Sequence, residues 1–181
     1  MKVIDTELKD VKILIFDKRE DVRGATEVTL DNAEMERKGI PFACREQRIY
    51  HVLKKGTFYG IHFQTKRHPQ KKIIHLLTGR GIDYVVDLKK DSSTYKKWIA
   101  IELTGGDNKH VYIPQGYGHA FLSLEDNTTQ LFTMSEHFHK GEARRIRFDD
   151  EQIKLSIPIE IEAISDSDNT APYLNEIEFE M

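Results

Sequence analysis

Thr57-Phe58-Tyr59-Gly60-Ile61-His62-Phe63-Gln64 is followed, after a short polar stretch, by Lys72-Ile73-Ile74-His75-Leu76-Leu77. Both runs are apolar, β-prone and bounded by turn residues, so each reads as a strand. On an extended chain Gly60, His62 and Gln64 share one face, and Tyr59, Ile61 and Phe63 share the other. In the second run Lys72, Ile74 and Leu76 alternate with Ile73, His75 and Leu77. A face of Gly, His and Gln inside a barrel is polar and roomy. An imidazole can take a proton from carbon near neutral pH. A nearby ammonium can hold the negative oxygen that results. His62 and Lys72 together therefore point to proton abstraction beside a carbonyl.

Outward from this pair the pattern repeats. Strands are expected at 48–53, 57–64, 72–77, 81–88, 97–103, 110–113, 119–124, 130–138 and 143–148. Turn residues separate them, among them Gly79-Arg80-Gly81, Gly105-Gly106-Asp107-Asn108 and Pro114-Gln115-Gly116. Ahead of them lie an apolar run at 11–16, a short strand at 26–30 and a short helix at 31–39, with Asp31 or Asn32 as cap and Gly39 as stop. Short strands at this spacing indicate an all-β sandwich, jelly roll or barrel. No internal repeat, low-complexity tract or linker interrupts the chain, so residues 1–181 are expected to form one domain.

Composition excludes several function classes. The chain has 181 residues and a formal net charge of −3, which gives no bulk pull toward nucleic acid or an anionic membrane. Basic residues come in scattered pairs such as Lys54-Lys55 and Arg144-Arg145. Cys44 is the only cysteine, so neither an internal disulfide nor a cysteine-based zinc site can form. Residues 1–10 are charged, and no apolar stretch nears the roughly 20 residues that cross a bilayer. A cytoplasmic protein is expected. His62 and His68 lack a carboxylate at a fitting offset, and His137 and His139 sit in a charged segment, so no metal and no cofactor are expected. In Gly116-Tyr117-Gly118-His119-Ala120-Phe121, glycines flank an aromatic before a histidine enters a strand, as though the backbone were shaped around a ligand.

Read as a set, these motifs resemble the dTDP-4-dehydrorhamnose 3,5-epimerases. The resemblance rests on residues 60–64, Pro69-Gln70-Lys71-Lys72, residues 83–88, Asp91-Ser92-Ser93-Thr94-Tyr95 with Lys97-Trp98, residues 112–121, and Ile164-Ser165-Asp166-Ser167-Asp168 before Ala171-Pro172-Tyr173-Leu174. It implies a cupin-like jelly roll with short flanking helices, a homodimer, and a nucleoside diphosphate 4-keto-6-deoxy sugar as substrate. By the same resemblance His62 removes the proton next to the C4 ketone, Asp168 orients His62, and Lys72 stabilises the enolate oxygen. His119 matches a substrate-facing histidine. Arg23 and Gln47 match positions that touch the nucleotide or its phosphates.

The chain also departs from the family pattern. The family's general-acid tyrosine falls at Phe132, and a tyrosine that holds the nucleotide falls at Phe138. The arginine before the Gly-x-His run is Tyr59, which strict alternation puts on the face opposite His62 unless the strand bulges. The base side of the site is thus kept, and the acid side and nucleotide cradle are rebuilt. The expected activity is epimerisation at C3, C5 or both, in deoxysugar biosynthesis. A nucleotide-sugar ketoisomerase and a non-catalytic sugar-nucleotide binding module are the alternatives.

Overall fold

Period-two alternation carries most of the chain into antiparallel strands. The computed structural model describes residues 1–181. In chain order the elements are β1 (Lys2–Asp5), β2 (Lys12–Ile15), β3 (Lys18–Asp21), β4 (Gly24–Glu27), α1 (Asn32–Arg37), β5 (Glu46–Val52), β6 (Thr57–Gln64) and β7 (Lys72–Thr78). They continue with β8 (Arg80–Asp87), β9 (Trp98–Thr104), β10 (Lys109–Ile113), β11 (Tyr117–Ser123), β12 (Thr128–Met134), β13 (Ala143–Arg145), β14 (Ala163–Ile164) and α2 (Asp166–Asn169). One sheet has the order β1-β2-β10-β7-β12-β5; the other runs β13-β6-β11-β8-β9, with β14 also beside β6. Strands far apart in sequence alternate across the two sheets. The result is the expected all-β, cupin-like jelly roll with short flanking helices.

Apolar side chains fill three layers. Between the sheets lie Val52, Ile74, Leu76, Val85, Leu103, Val111 and Phe121. The C-terminal segment wraps the outer face of the second sheet, where Ile146, Ile153, Leu174 and Phe179 cover Phe58, Ile61, Phe63 and Leu122. Met35 of α1, with Ile40 and Phe42, covers Leu14, Ile73 and Tyr112 on the outer face of the first sheet. Each fully buried Leu, Ile or Phe contributes about 1.5–3 kcal/mol. Strand β11, enclosed on both faces, is buried along its whole length. Strand β5, at a sheet edge, alternates instead: Gln47, Ile49 and His51 point to solvent. Helix α1 is capped by Asp31, whose carboxylate accepts the Glu34 N–H at 2.9 Å, and Gly39 follows its last turn with φ of +73°.

Several expected boundaries move. Residues 18–21, where no strand was expected, form β3, and its partner β4 begins at Gly24 rather than at 26. The Lys-Arg-Glu-Asp strand is exposed on both faces and so carries no alternation to read. Strand β1 was likewise hidden in a charged segment. Strand β12 stops at Met134, not at 138. Beyond it the backbone is held by side chains instead of a ladder: Gln64 bonds the His137 carbonyl and the His139 N–H, and Glu46 accepts from the Phe138 N–H. Strand β13 ends at Arg145 rather than at 148. No helix is long and apolar enough to cross a membrane.

Candidate active site

Strand β6 supplies one wall of the site, and an irregularity within it decides which side chains face inward. Against β11, His62 pairs with His119, and Tyr59 pairs with Phe121. Gly60 and Ile61 thus oppose the single residue Ala120, which is a β-bulge. Ile61 and Phe63 pack outward, while His62, Gln64 and Tyr59 all line one cavity. The expectation that Tyr59 faces away from His62 is corrected: the extra residue reverses the alternation. Only glycine fits at the bulge. Gly60 has φ of +124°, and a Cβ there would lie 2.5 Å from the Ala120 Cβ and 2.8 Å from the His119 carbonyl oxygen.

Asp168 reaches His62 from the wrapped C-terminal segment. Ser165 caps α2 and accepts the Asp168 N–H at 3.2 Å. The edge of β6 is covered by β14 at Thr57 and Phe58 and by β13 at His62 to Gln64. Between them the Gly60 N–H donates to Asp168 Oδ2 at 3.4 Å. Asp168 Oδ1 lies 2.7 Å from His62 Nε2 and 3.0 Å from Arg145 Nε. Burial alone would raise the Asp168 carboxyl. The hydrogen bond and charge of His62, the Gly60 N–H and Arg145 outweigh it and hold the group below its ordinary value. An ionised carboxylate only accepts, so His62 Nε2 carries the ring proton and Nδ1 keeps the lone pair.

The other sheet faces this dyad. Lys72 opens β7, is buried, and sets Nζ 3.5 Å from the His62 carbonyl oxygen. It forms no ion pair, and burial pushes its ammonium down to about 8, opposed in part by Asp83. His119 Nε2 lies 2.8 Å from Asp83 Oδ1, deep in the core. Burial drives His119 toward the neutral form despite the pull of Asp83. Phe132 of β12 packs edge-on against the His119 ring at 5.4 Å.

His62, Lys72, Tyr59, His119, Phe132 and Phe138 therefore meet around one cavity of about 240 Å³, with Asp168 directly behind His62. Arg23 and Gln47 do not line it. Arg23 stands at the exposed β3–β4 turn, paired with Asp21. Gln47 is on the outer face of β5, where its amide donates to the Thr133 hydroxyl at 3.0 Å.

Other lining residues escaped the sequence reading: Arg48 and Tyr50 of β5, Gln130 of β12, and the Arg144-Arg145 pair. The signal for the first two was alternation. Arg48 and Tyr50 share a face with the buried Val52, and Gln47 lies on the other. Arg48 lies over the Phe138 ring at 5.3 Å, and the buried Gln130 Oε1 has no hydrogen-bond partner in the chain. No carboxylate lines the cavity, whereas Arg48, Lys72, Arg144 and Arg145 do, so its field favours an anion. Nowhere do three or more His, Cys, Asp or Glu side chains converge as a metal-binding group.

Comparison with known proteins places this geometry in context. Residues 5–176 match the family model described as dTDP-4-dehydrorhamnose 3,5-epimerase. The chain is 28% identical over 173 residues to the dTDP-4-dehydrorhamnose 3,5-epimerase of Shigella flexneri, covering 93% of each. Its fold is similar to that of the Bacillus anthracis dTDP-4-dehydrorhamnose 3,5-epimerase solved with TDP and PPi bound (TM-score 0.92, 27% identity, 96% of this chain and 99% of that one). It is also similar to a 3'-monoepimerase from Streptomyces bikiniensis in complex with dTDP-quinovose (TM-score 0.87, 25% identity, 94% and 87% covered). With nearly its whole length matched in sequence and its two-sheet fold matched in space, the chain belongs to the dTDP-4-dehydrorhamnose 3,5-epimerase family.

Proposed function

We propose that this protein epimerises a nucleoside diphosphate 4-keto-6-deoxy sugar at a carbon flanking the ketone. The observation that carries the reading is the His62–Asp168 contact of 2.7 Å beside the buried, unpaired Lys72 in one cavity. His62 Nδ1 acts as the base. Asp168 holds the tautomer that leaves Nδ1 free and supports the imidazolium that forms. Lys72 faces the ketone oxygen and stabilises its negative charge, a contribution on the order of 3 kcal/mol for one donor in such a site. Neutral His119 completes the inner wall without adding a competing charge. Arg48, Arg144 and Arg145 offer guanidinium groups to the diphosphate, which they can bind in bidentate fashion. Relatives solved with TDP or dTDP-quinovose support a thymidine nucleotide as the carrier.

A homodimer belongs to the same proposal. Ile49 on the outer face of β5 is 53% exposed and Leu53 72% exposed, beside the outward-facing Gln47. A second copy seated there would cover these side chains. Arg23, remote from its own cavity, can touch a nucleotide only in the site of another chain.

Incubation with dTDP-4-keto-6-deoxyglucose in D2O tests the activity. Deuterium entering C3 and C5 with inversion indicates double epimerisation, and entry at one carbon a narrower enzyme. Migration of the ketone to C3 indicates the isomerase, and binding without exchange the binding module. His62→Ala is expected to abolish exchange while nucleotide binding stays measurable by calorimetry. Undiminished exchange in that variant removes His62 from the mechanism.

A further inference from the structure

Inverting a carbon beside a ketone needs one group to remove a proton from one face and another to return a proton to the opposite face. On the reading above, the base stands on β6, so the donor must face it from the sheet that contains β5, β7 and β12. That wall presents Arg48, Tyr50, Lys72, Gln130, Phe132 and Met134 to the cavity. Phe132, Met134 and Gln130 have no proton acidic enough to give. Arg48 keeps its proton at any working pH. Lys72 is already committed to the ketone oxygen on that reading, so it is not the group that protonates the carbon. Tyr50 is the hydroxyl that remains. Its ring packs on Phe132, centroids 4.7 Å apart, and meets Tyr59 edge-on at 5.9 Å.

We propose that Tyr50 is the catalytic proton donor of this protein, acting across the cavity from His62. His62 Nδ1 takes the proton, the C–H pair becomes the C=C bond of the enolate, and the ketone π pair moves to the oxygen facing Lys72. On return the C=O re-forms, and the carbon takes the Tyr50 hydroxyl proton on its other face. The tyrosinate then regains a proton from solvent, and the imidazolium releases its own, so the net change is inversion alone. Arg48, on the same face of β5, is placed to steady the tyrosinate; burial works against the Arg48 charge, and Glu46 and then Tyr50 outweigh it. Tyr59 is the rival hydroxyl. It stands on the strand of the base, and burial, then the fields of Tyr50 and Asp168, make it a weaker acid than free tyrosine.

The test compares Tyr50→Phe, Tyr59→Phe and Tyr50→Phe/Phe132→Tyr with the parent protein, following deuterium exchange and epimer formation separately on dTDP-4-keto-6-deoxyglucose. Removal of a general acid is expected to lower epimer formation by about 10²-fold or more. In Tyr50→Phe, His62-dependent exchange should persist within roughly threefold, since taking and returning a proton on one face needs no opposite donor. Restoring a hydroxyl at 132 should recover inversion at least about tenfold. Epimerisation by Tyr50→Phe at the parent rate overturns the assignment. So does equal loss of exchange, inversion and nucleotide affinity, or the selective loss of inversion in Tyr59→Phe instead. A parent protein that neither exchanges nor epimerises overturns the proposed function itself, which is a distinct result.

Discussion

An ammonium buried without a carboxylate gives up its proton more easily than one in water, and Lys72 is such a group. Its value of about 8 sets a sign for the pH response. Below that pH the charged form faces the enolate oxygen; as pH rises through it the charge, and with it the stabilisation, is lost. Turnover should therefore decline above about pH 8, and Lys72→Met should lower the rate by about 10²-fold while leaving nucleotide affinity within a few-fold. A rate profile from pH 6 to 10 on both proteins checks this, and a flat alkaline limb in the parent rules out a charged Lys72 in the rate-determining step. His62 and Lys72 were legible because each stood in an apolar, strand-like run where an ionisable side chain stands out. Asp168 was legible only through family resemblance, for nothing local ties residue 168 to residue 62. Arg48 and Tyr50 were readable from alternation along β5 but carried no motif to draw attention to them.

Element-level reading reached the strands and missed one shift of phase. Strand β6 appears at the expected residues, yet the bulge at Gly60 and Ile61 rotates Tyr59 onto the side of His62. The bulge also frees the Gly60 N–H for Asp168. Gly60→Ala would press a methyl group into Ala120 and require a positive φ from a residue that resists it. We expect a loss of about 3 kcal/mol or more in stability, and a larger loss of activity than stability alone explains, because His62 and Asp168 are both aligned through this segment. Thermal unfolding together with exchange kinetics measures the two effects. A variant with parental melting temperature and activity would show that the bulge does not depend on glycine. Strands without apolar alternation, such as β3, were invisible for a plain reason: no buried face constrains their side chains.

At the scale of the whole molecule, each outer sheet face carries a cover, one of α1 and its flanking loop, the other of the C-terminal segment. The end of the first sheet at β5 is left open, with Ile49 and Leu53 uncovered. Sedimentation equilibrium should give a mass near twice the 21.1 kDa of one chain, and Ile49→Asp with Leu53→Asp should move it toward the single-chain value. A monomeric parent at tens of micromolar would remove the dimer, and with it a role for Arg23 in a neighbouring site. Alternation, turn residues and spacing determined by themselves that this chain is an all-β protein and which residues share a strand face with His62 and with Lys72, because strand periodicity is a local property of the backbone. Tertiary structure decided that Tyr59 turns inward and that Tyr50 lines the same cavity as His62, and it brought Asp168, expected there only by resemblance, onto His62. These depend on which distant strands pair and in what register, and a sheet assembled from residues more than a hundred positions apart sets that register through packing that no short stretch of sequence encodes.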